Sequence, residues 1–181
     1  MSLNVTDFRG QFRGGGARPS LFRIRCIAPG YVNFPVEKFT FMANAASIPG
    51  AQLGERMVGY MGQDVKLAGD RIYPDYQTQI MNDEDFAIRD AIERWNNSIS
   101  QYSRDEAVRV DGATSDPSSY VGKIYVDQMG KDGNVIKTYG LVNAWPAIIG
   151  EIGLAWTQKD DIEVFTVSWR YDYIENNGVV S

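Results

Sequence analysis

One amphipathic helix, in a chain otherwise patterned for strands, limits the folds open to this sequence. The helix is predicted over residues 83–99, where Asn82 and Asp83 can accept hydrogen bonds from the free N–H groups of the first turn. A helix with one apolar stripe in such a chain most simply packs across a sheet, so we expect a mainly β subunit, a barrel or sandwich with one α-helix. The stripe consists of Ile88, Ala91, Ile92, Trp95 and Ile99.

The residue types present exclude most catalytic and metal sites. The chain has 181 residues, no histidine and a single cysteine, Cys26. Histidine-based nucleophile systems, histidine-containing metal sites and thiolate cages are therefore impossible. The paired carboxylates at 83–85 and 160–161 are explained by helix capping and by a turn. We therefore expect no enzymatic activity, no catalytic residues, no cofactor and no metal, and without an apolar run near 18 residues we expect no membrane span.

Charge is distributed unevenly along the chain. The formal net charge is −5, which argues against tight binding to nucleic acid. The first 25 residues nevertheless hold five arginines and one aspartate, whereas the rest holds 13 basic and 22 acidic residues. Residues 1–19, with the run Gly14–Gly16, are predicted to be a flexible arm. Its arginines, Arg18 among them, either dock on a neighbouring copy of the chain or form a solvated tail.

Residues 20–175 are predicted to form a single domain, followed by a tail over 176–181. Residues 101–119 are polar and are predicted to be a surface loop. Alternating or apolar runs between turn signals predict the strands. These are Leu21–Ala28, Val36–Met42, Tyr76–Met81, Tyr120–Met129, Val135–Trp145, Gly150–Trp156 and Asp160–Tyr173.

The predicted strand Asp160–Tyr173 is unusually long. Fourteen extended residues reach about 46 Å, far more than an ordinary strand of ~5–6 residues. Such a strand indicates a sheet that continues beyond one subunit. Bare strand edges promote aggregation, and a head-to-tail ring covers them.

Residues 50–69 are predicted to be a long interaction loop. They contain several glycines together with Met57, Tyr60 and Met61, which argue against plain disorder. The loop covers either its own core or a partner, and without catalytic residues we favour a partner. Phe86 lies away from the apolar stripe of the helix, so it either packs on the incoming strand or faces another protein. The predicted contact residues are Arg18, Ile48, Met57, Tyr60, Met61 and Phe86.

The sequence resembles the tail tube proteins of T-even type contractile-tailed phages. The similar segments follow the family's order across nearly the whole chain. Extra residues before Ala17, a longer connection over 27–34 and a glycine-rich end after Glu175 depart from the pattern. The similar segments are Ala17-Arg18-Pro19, Leu21-Phe22, Ala68–Arg71, Asp75-Tyr76, Met81–Glu84, Trp145-Pro146, Gly150–Ile152, Ile162–Val167 and Asp172-Tyr173.

The resemblance implies a subunit that closes into a hexameric ring with a continuous inner β-barrel, and rings that stack into a hollow tube. It implies a structural virion protein, made in the host cytoplasm, that conducts double-stranded DNA. The implied partners are further copies, a contractile sheath protein, baseplate tube-initiator proteins and the tape-measure protein.

Polar residues on the strands are predicted to line the bore, where a net negative surface lets DNA slide. The candidates are Gln77, Gln79, Lys123, Asp127 and Arg170. A baseplate tube initiator and a secretion-system tube protein remain alternatives. A carbohydrate-binding β-domain that uses Trp145 and Trp156 is a further one.

Overall fold

The computed structural model describes residues 4–12, 16–99, 117–157 and 161–178. Three α-helices occur in these ranges: α1 (Val5–Gln11), α2 (Val36–Met42) and α3 (Ala87–Ile99). The strands are β1 (Phe22–Ile27), β2 (Ala43–Ala46), β3 (Gln52–Tyr60), β4 (Gln63–Ile72), β5 (Tyr76–Met81), β6 (Gly122–Met129), β7 (Val135–Ile149), β8 (Val164–Arg170) and β9 (Tyr173–Gly178). The expectation of a mainly β subunit is confirmed, and that of one helix is wrong.

Seven strands form one antiparallel sheet around the core. The order is β1-β6-β7-β8-β5-β2, and β9 pairs with β7. Strand β7 has 15 residues and serves two parts of this sheet. Its first part pairs with β6 and β9, and its last part pairs with β8. We call β1, β6, β9 and the first part of β7 the β6 half, and β2, β5, β8 and the last part of β7 the β8 half.

The two halves share one hydrophobic core. Ile24 and Ile124 enter it from the β6 half, whereas Ile80 and Trp169 enter it from the β8 half, and all four are fully buried. Helix α3 covers the core with the predicted stripe, whose Trp95 packs on Trp169 with ring centroids 5.7 Å apart. The outer faces of the two halves therefore point away from a common centre.

Residues 36–42 form a helix, although their alternation predicts a strand. Pro35 precedes the helix and accepts the Phe39 N–H, and the Thr40 hydroxyl donates to the Val36 carbonyl. Phe39 is fully buried against Phe34 and Trp169, whereas Phe41 is 82% exposed. The packing of one phenylalanine, which no local pattern reports, decides between helix and strand here.

Residues 50–69, predicted as a loop, belong to the hairpin β3–β4. The glycines that suggested a loop have a different role, because Gly54 and Gly69 lie at a bulge where the two backbones approach closely. A Cβ on Gly69 would come 3.0 Å from the Gly54 carbonyl carbon. Glycine is therefore required within the strands rather than in place of them.

The long final strand is divided in two. Strand β8 ends at Arg170, and β9 begins at Tyr173 on a different part of β7. The alternating pattern continues through this break and cannot reveal it. Residues 150–156 are not a strand either, although the Gly150 N–H still donates to the Thr166 carbonyl at 2.7 Å.

The remaining predictions agree in part with the structure. Strand β1, strand β5 and the hairpin of β6 with β7 are confirmed, and β7 runs past Trp145 to Ile149. Helix α3 begins at Ala87 rather than at residue 83, after a turn in which Asp85 accepts the Ala87 N–H. The predicted arm contains α1, and the predicted tail begins within β9. The predicted loop over 101–119 lies outside the described residues except for its last three.

Candidate assembly surfaces

The hairpin β3–β4 pairs with no other strand in the described part of the chain. Cross-strand partners share a face, so Val58 with Val65 and Tyr60 with Gln63 lie on one side. Leu67 is on that side too, opposite Arg56, and all four apolar side chains are about half exposed or more. We call Val58, Tyr60, Val65 and Leu67 the apolar hairpin face.

The other side of the hairpin is charged. Met57 lies there opposite Lys66, and Glu55 forms an ion pair with Lys66 at 3.4 Å. The structure therefore separates two residues that the sequence grouped, because Met57 and Tyr60 point to opposite sides. Alternation within 50–69 contains the signal for the apolar face, but the assumption of a loop hid it.

The hairpin turn places an apolar side chain at the tip. Met61 and Gly62 have φ of 50° and 80°, as a two-residue hairpin turn requires. Asparagine and glycine are favoured at such positions, and a methionine with positive φ is uncommon. Met61 is 87% exposed, so packing within the described part of the subunit does not explain its presence there.

Three of the predicted bore residues lie together on the outer face of the β8 half. Gln77 and Gln79 are exposed on β5, opposite Ser168 and Thr166. Arg170 follows on β8, where its guanidinium lies 3.5 Å from an Asp75 carboxylate oxygen. This face is polar and, apart from that ion pair, these positions carry no charge.

The other two bore candidates lie on the outer face of the β6 half. Lys123 is exposed, but the Asp127 side chain has no exposed surface. The Asp127 carboxylate accepts hydrogen bonds from Arg23, Arg25 and the Thr138 hydroxyl at 2.7–3.3 Å. Burial alone raises the pKa of Asp127, but these bonds outweigh it and the pKa lies below its ordinary value.

The Asp127 cluster changes the interpretation of the basic N-terminal region. Arg23 and Arg25 lie on β1 and neutralise a buried carboxylate, so they are not part of a free basic arm. Arg18 is exposed, and its backbone carbonyl accepts a hydrogen bond from the Gln128 amide. Ile48 is 53% exposed and lines a small groove with Pro19.

Phe86 stands apart from the other predicted contact residues. It lies in the turn before α3 with φ of 51°, which is uncommon for a bulky residue, and it is 40% exposed. Lys38 on α2 binds both Asp83 and Asp85 in the same turn, so this strained segment is held by ion pairs.

Two structural observations bear on other functions. No helix in the described ranges is long and apolar enough to span a membrane. Within those ranges, no three acidic or thiol side chains are grouped so that they could hold a metal ion.

A family model described as "Phage tail tube protein" matches residues 17–176. The chain belongs to the phage tail tube protein family. Tail tube proteins are structural components of the virion, as the resemblance implied.

The tail tube protein gp19 of Enterobacteria phage T4 is similar over nearly the full length of both chains. It is 29% identical over 173 residues, which cover 94% of this chain and 99% of the T4 protein.

Solved structures share the fold of this tail tube protein. A chain in the six-fold symmetrised baseplate of the anti-feeding prophage superposes with a TM-score of 0.63 at 12% identity, covering 91% of this chain and 97% of that one. A chain in an extended sheath–tube complex of the PVC extracellular contractile injection system gives 0.58 at 14% identity, covering 98% and 100%. At these identities the likeness concerns the fold.

Proposed function

We propose that copies of this tail tube protein close into hexameric rings with a continuous inner β-barrel, and that the rings stack into the inner tube of a contractile tail. The observation that carries the proposal is the hairpin β3–β4. A two-stranded hairpin is marginally stable in water by itself, and exposed apolar patches mark interaction sites. The apolar hairpin face therefore packs against a further copy between stacked rings.

The ends of the main sheet support ring closure. Strands β1 and β2 end the strand path, and each leaves one edge unpaired in the described part of the chain. Unpaired edges join head to tail when a ring closes, and the sheet then continues from copy to copy. Such a ring covers the strand edges that a single subunit leaves exposed.

The outer face of the β8 half lines the bore. Gln77 and Gln79 offer hydrogen bonds without charge, and the cation of Arg170 is balanced by Asp75. Phosphates bind tightly to unpaired basic groups, which this face lacks at the named positions, so double-stranded DNA slides through. The outer face of the β6 half, which carries Lys123 and Asp127, is the alternative lining of the bore, because the outer faces of the two halves point away from the core that they share.

The remaining partners follow from the same assembly. The outside of the tube contacts a contractile sheath protein, its first ring sits on baseplate tube-initiator proteins, and its bore holds the tape-measure protein before DNA passes. No step requires catalysis, and we propose no enzymatic role. A chain similar in fold occurs in a baseplate structure, so a tube initiator is the second candidate.

Electron microscopy of the purified protein, with and without baseplate nuclei, tests the proposal. Wild-type protein should form rings or hollow tubes, and Tyr60→Asp should block stacking because it places a charge on the apolar hairpin face. Lys66→Glu on the charged side is the control for a charge change in the same hairpin. Circular dichroism should show that both variants fold.

The outcomes separate the candidates. Tubes of normal length from Tyr60→Asp would contradict stacking through this face. Single rings that never elongate, even with nuclei, would favour the initiator. Persistent wild-type monomers in the presence of nuclei would contradict assembly and would call for a glycan screen. The carbohydrate-binding alternative has little structural support, because its two tryptophans differ in exposure. Trp145 is covered in part by Arg170, whereas Trp156 is fully exposed on the segment after β7.

A further inference from the structure

Helix α1 lies in the part of the chain that precedes the family match, which begins at residue 17. None of its residues is buried, not even the apolar ones. Val5 and Phe8 are each 65% exposed, and Phe12, just beyond the helix, is 50% exposed. Phe8 and Phe12 contact each other edge to face, with centroids 5.0 Å apart. A helix of seven residues is unstable in water by itself, so its apolar side requires a surface.

The charges of α1 are ordered around its apolar stripe. At 100° per residue, Val5, Phe8 and Phe12 fall within about 60° of one another, and Arg9 flanks them at roughly 70° from the centre of the stripe. Asp7 lies on the back of the helix, about 130° from that centre. The helix thus presents aromatic groups beside a cation and turns its carboxylate away.

A groove with the complementary character lies between the end of β5 and the start of β8. It has a volume of about 600 Å³, and Met42, Met81 and Ile162 form its apolar lining. Ile162 is 66% exposed, so the groove offers apolar surface to solvent. Its size falls in the range that proteins use for apolar ligands.

The rim of this groove is acidic. Four carboxylates and an asparagine line it, and among the residues that the structure describes no lysine or arginine does. Asp83 is bound by Lys38, and the Asn82 amide donates to Glu163. Glu84 and Asp161 have no ion-pair partner in the described ranges, so they remain available to a cation.

We propose that α1 of one copy docks in this acidic groove of a second copy, with Phe8 on Ile162 and Arg9 beside Glu84 and Asp161. The proposal rests on the proposed function, in which copies assemble. No α1 residue is buried on its own subunit, and α1 precedes residues 17–176, over which the family model matches. The helix is therefore an additional clasp between copies of this tail tube protein.

Disulfide formation between separate copies tests the docking. Copies with Phe8→Cys are mixed with copies with Ile162→Cys, so that only contacts between copies can join the two thiols. Cys26 is fully buried and burial raises the pKa of its thiol, so it does not compete. The matched control is Thr6→Cys, on the side of α1 about 130° from the stripe.

We expect a disulfide dimer from the Phe8→Cys mixture on a non-reducing gel and its loss with Thr6→Cys. Arg9→Glu should reduce the dimer, and Glu84→Arg in the partner should restore it. Equal linking by both helix positions, or no linking by Phe8→Cys, would overturn the proposal. An intrachain bond alone in the Phe8→Cys/Ile162→Cys double variant would place α1 on its own groove and overturn the choice of a second copy.

Electron microscopy of the same samples keeps the two proposals apart. Tubes without the disulfide would refute the clasp and leave the tube function intact. Failure of the wild-type protein to assemble on nuclei would refute the tube function, whatever the gel shows.

Discussion

At the scale of single residues, Asp127 has the most demanding environment. It is a fully buried carboxylate beneath two arginines that are each about 40% exposed. A buried charge destabilises a fold unless it is paired and hydrogen-bonded, and here both conditions are met. Strand β1 is therefore tied to β6 and β7 by side chains as well as by its backbone.

Asp127→Asn should lower the free energy of unfolding at pH 7 by about 2 kcal/mol, because the charge-assisted hydrogen bonds from two arginines are weakened or lost. The folded pKa of Asp127 is lower than that of an unfolded aspartate, which is about 3.9. The ionised Asp127 therefore contributes fully to the free energy of unfolding above the unfolded pKa, and this contribution is lost as pH falls through the folded pKa. The free energy of unfolding of the wild type, measured by urea titration, should therefore decrease below about pH 4.

The acid dependence of the variant should be shallower, since it lacks this one carboxylate. Asp64→Asn, on the exposed hairpin, is the control and should leave the curve unchanged. Parallel acid curves for wild type and Asp127→Asn would mean that the cluster does not depress the pKa of Asp127.

At the scale of elements, the sequence patterns predicted which residues of α3 are buried, but they did not always distinguish a helix from a strand. The stripe of α3 was predictable because its buried residues repeat at helical spacing: Ile88, Ala91, Ile92 and Trp95. Segment 36–42 was mispredicted because alternation and helical spacing both fit its few apolar residues. Only the packing of Phe39 on Trp169, from a distant strand, separates the two possibilities.

The two phenylalanines of α2 provide a test of this assignment. Phe39→Ala should destabilise the subunit by about 3–5 kcal/mol, because it empties a buried aromatic site. Phe41→Ala should change stability by less than about 0.5 kcal/mol, since the side chain is exposed. A strand would place both residues on one face, so similar losses in urea unfolding would favour the strand instead.

The sequence predicted which types of residue form the candidate surfaces, but not which of these residues share a face. The sequence singled out Met57 and Tyr60 because exposed apolar residues suit a partner. It did not assign them to opposite hairpin faces, because the segment was predicted as a loop, whereas residues three apart in a strand lie on opposite faces. Likewise, Gln79 and Lys123 are both polar strand residues, and only the shared core places them on different outer faces.

At the scale of the whole molecule, those outer faces make the orientation of the subunit in a ring measurable. Gln79→Cys and Lys123→Cys place a thiol on either half, and Cys26 stays buried. In assembled tubes, Gln79→Cys should react with a small maleimide but not with one attached to a polymer too wide for the bore. Both variants should react with both reagents as dispersed subunits.

Two outcomes of the same labelling would contradict this orientation of the subunit. If Lys123→Cys shows this size selection and Gln79→Cys does not, the β6 half lines the bore. If neither thiol reacts with the small reagent in tubes, both faces are covered by neighbouring copies.

The order of the strands also affects how the protein is made. Strand β8 joins β5 to β7, and β9 covers the free side of β7, and both come from residues 164–178. A chain released from the ribosome before Val164 has two pieces of sheet with no strand between them. Residues 164–178 thus decide whether the two pieces join into one sheet, and a copy that lacks them cannot present β1 and β2 as the two ends of a single sheet.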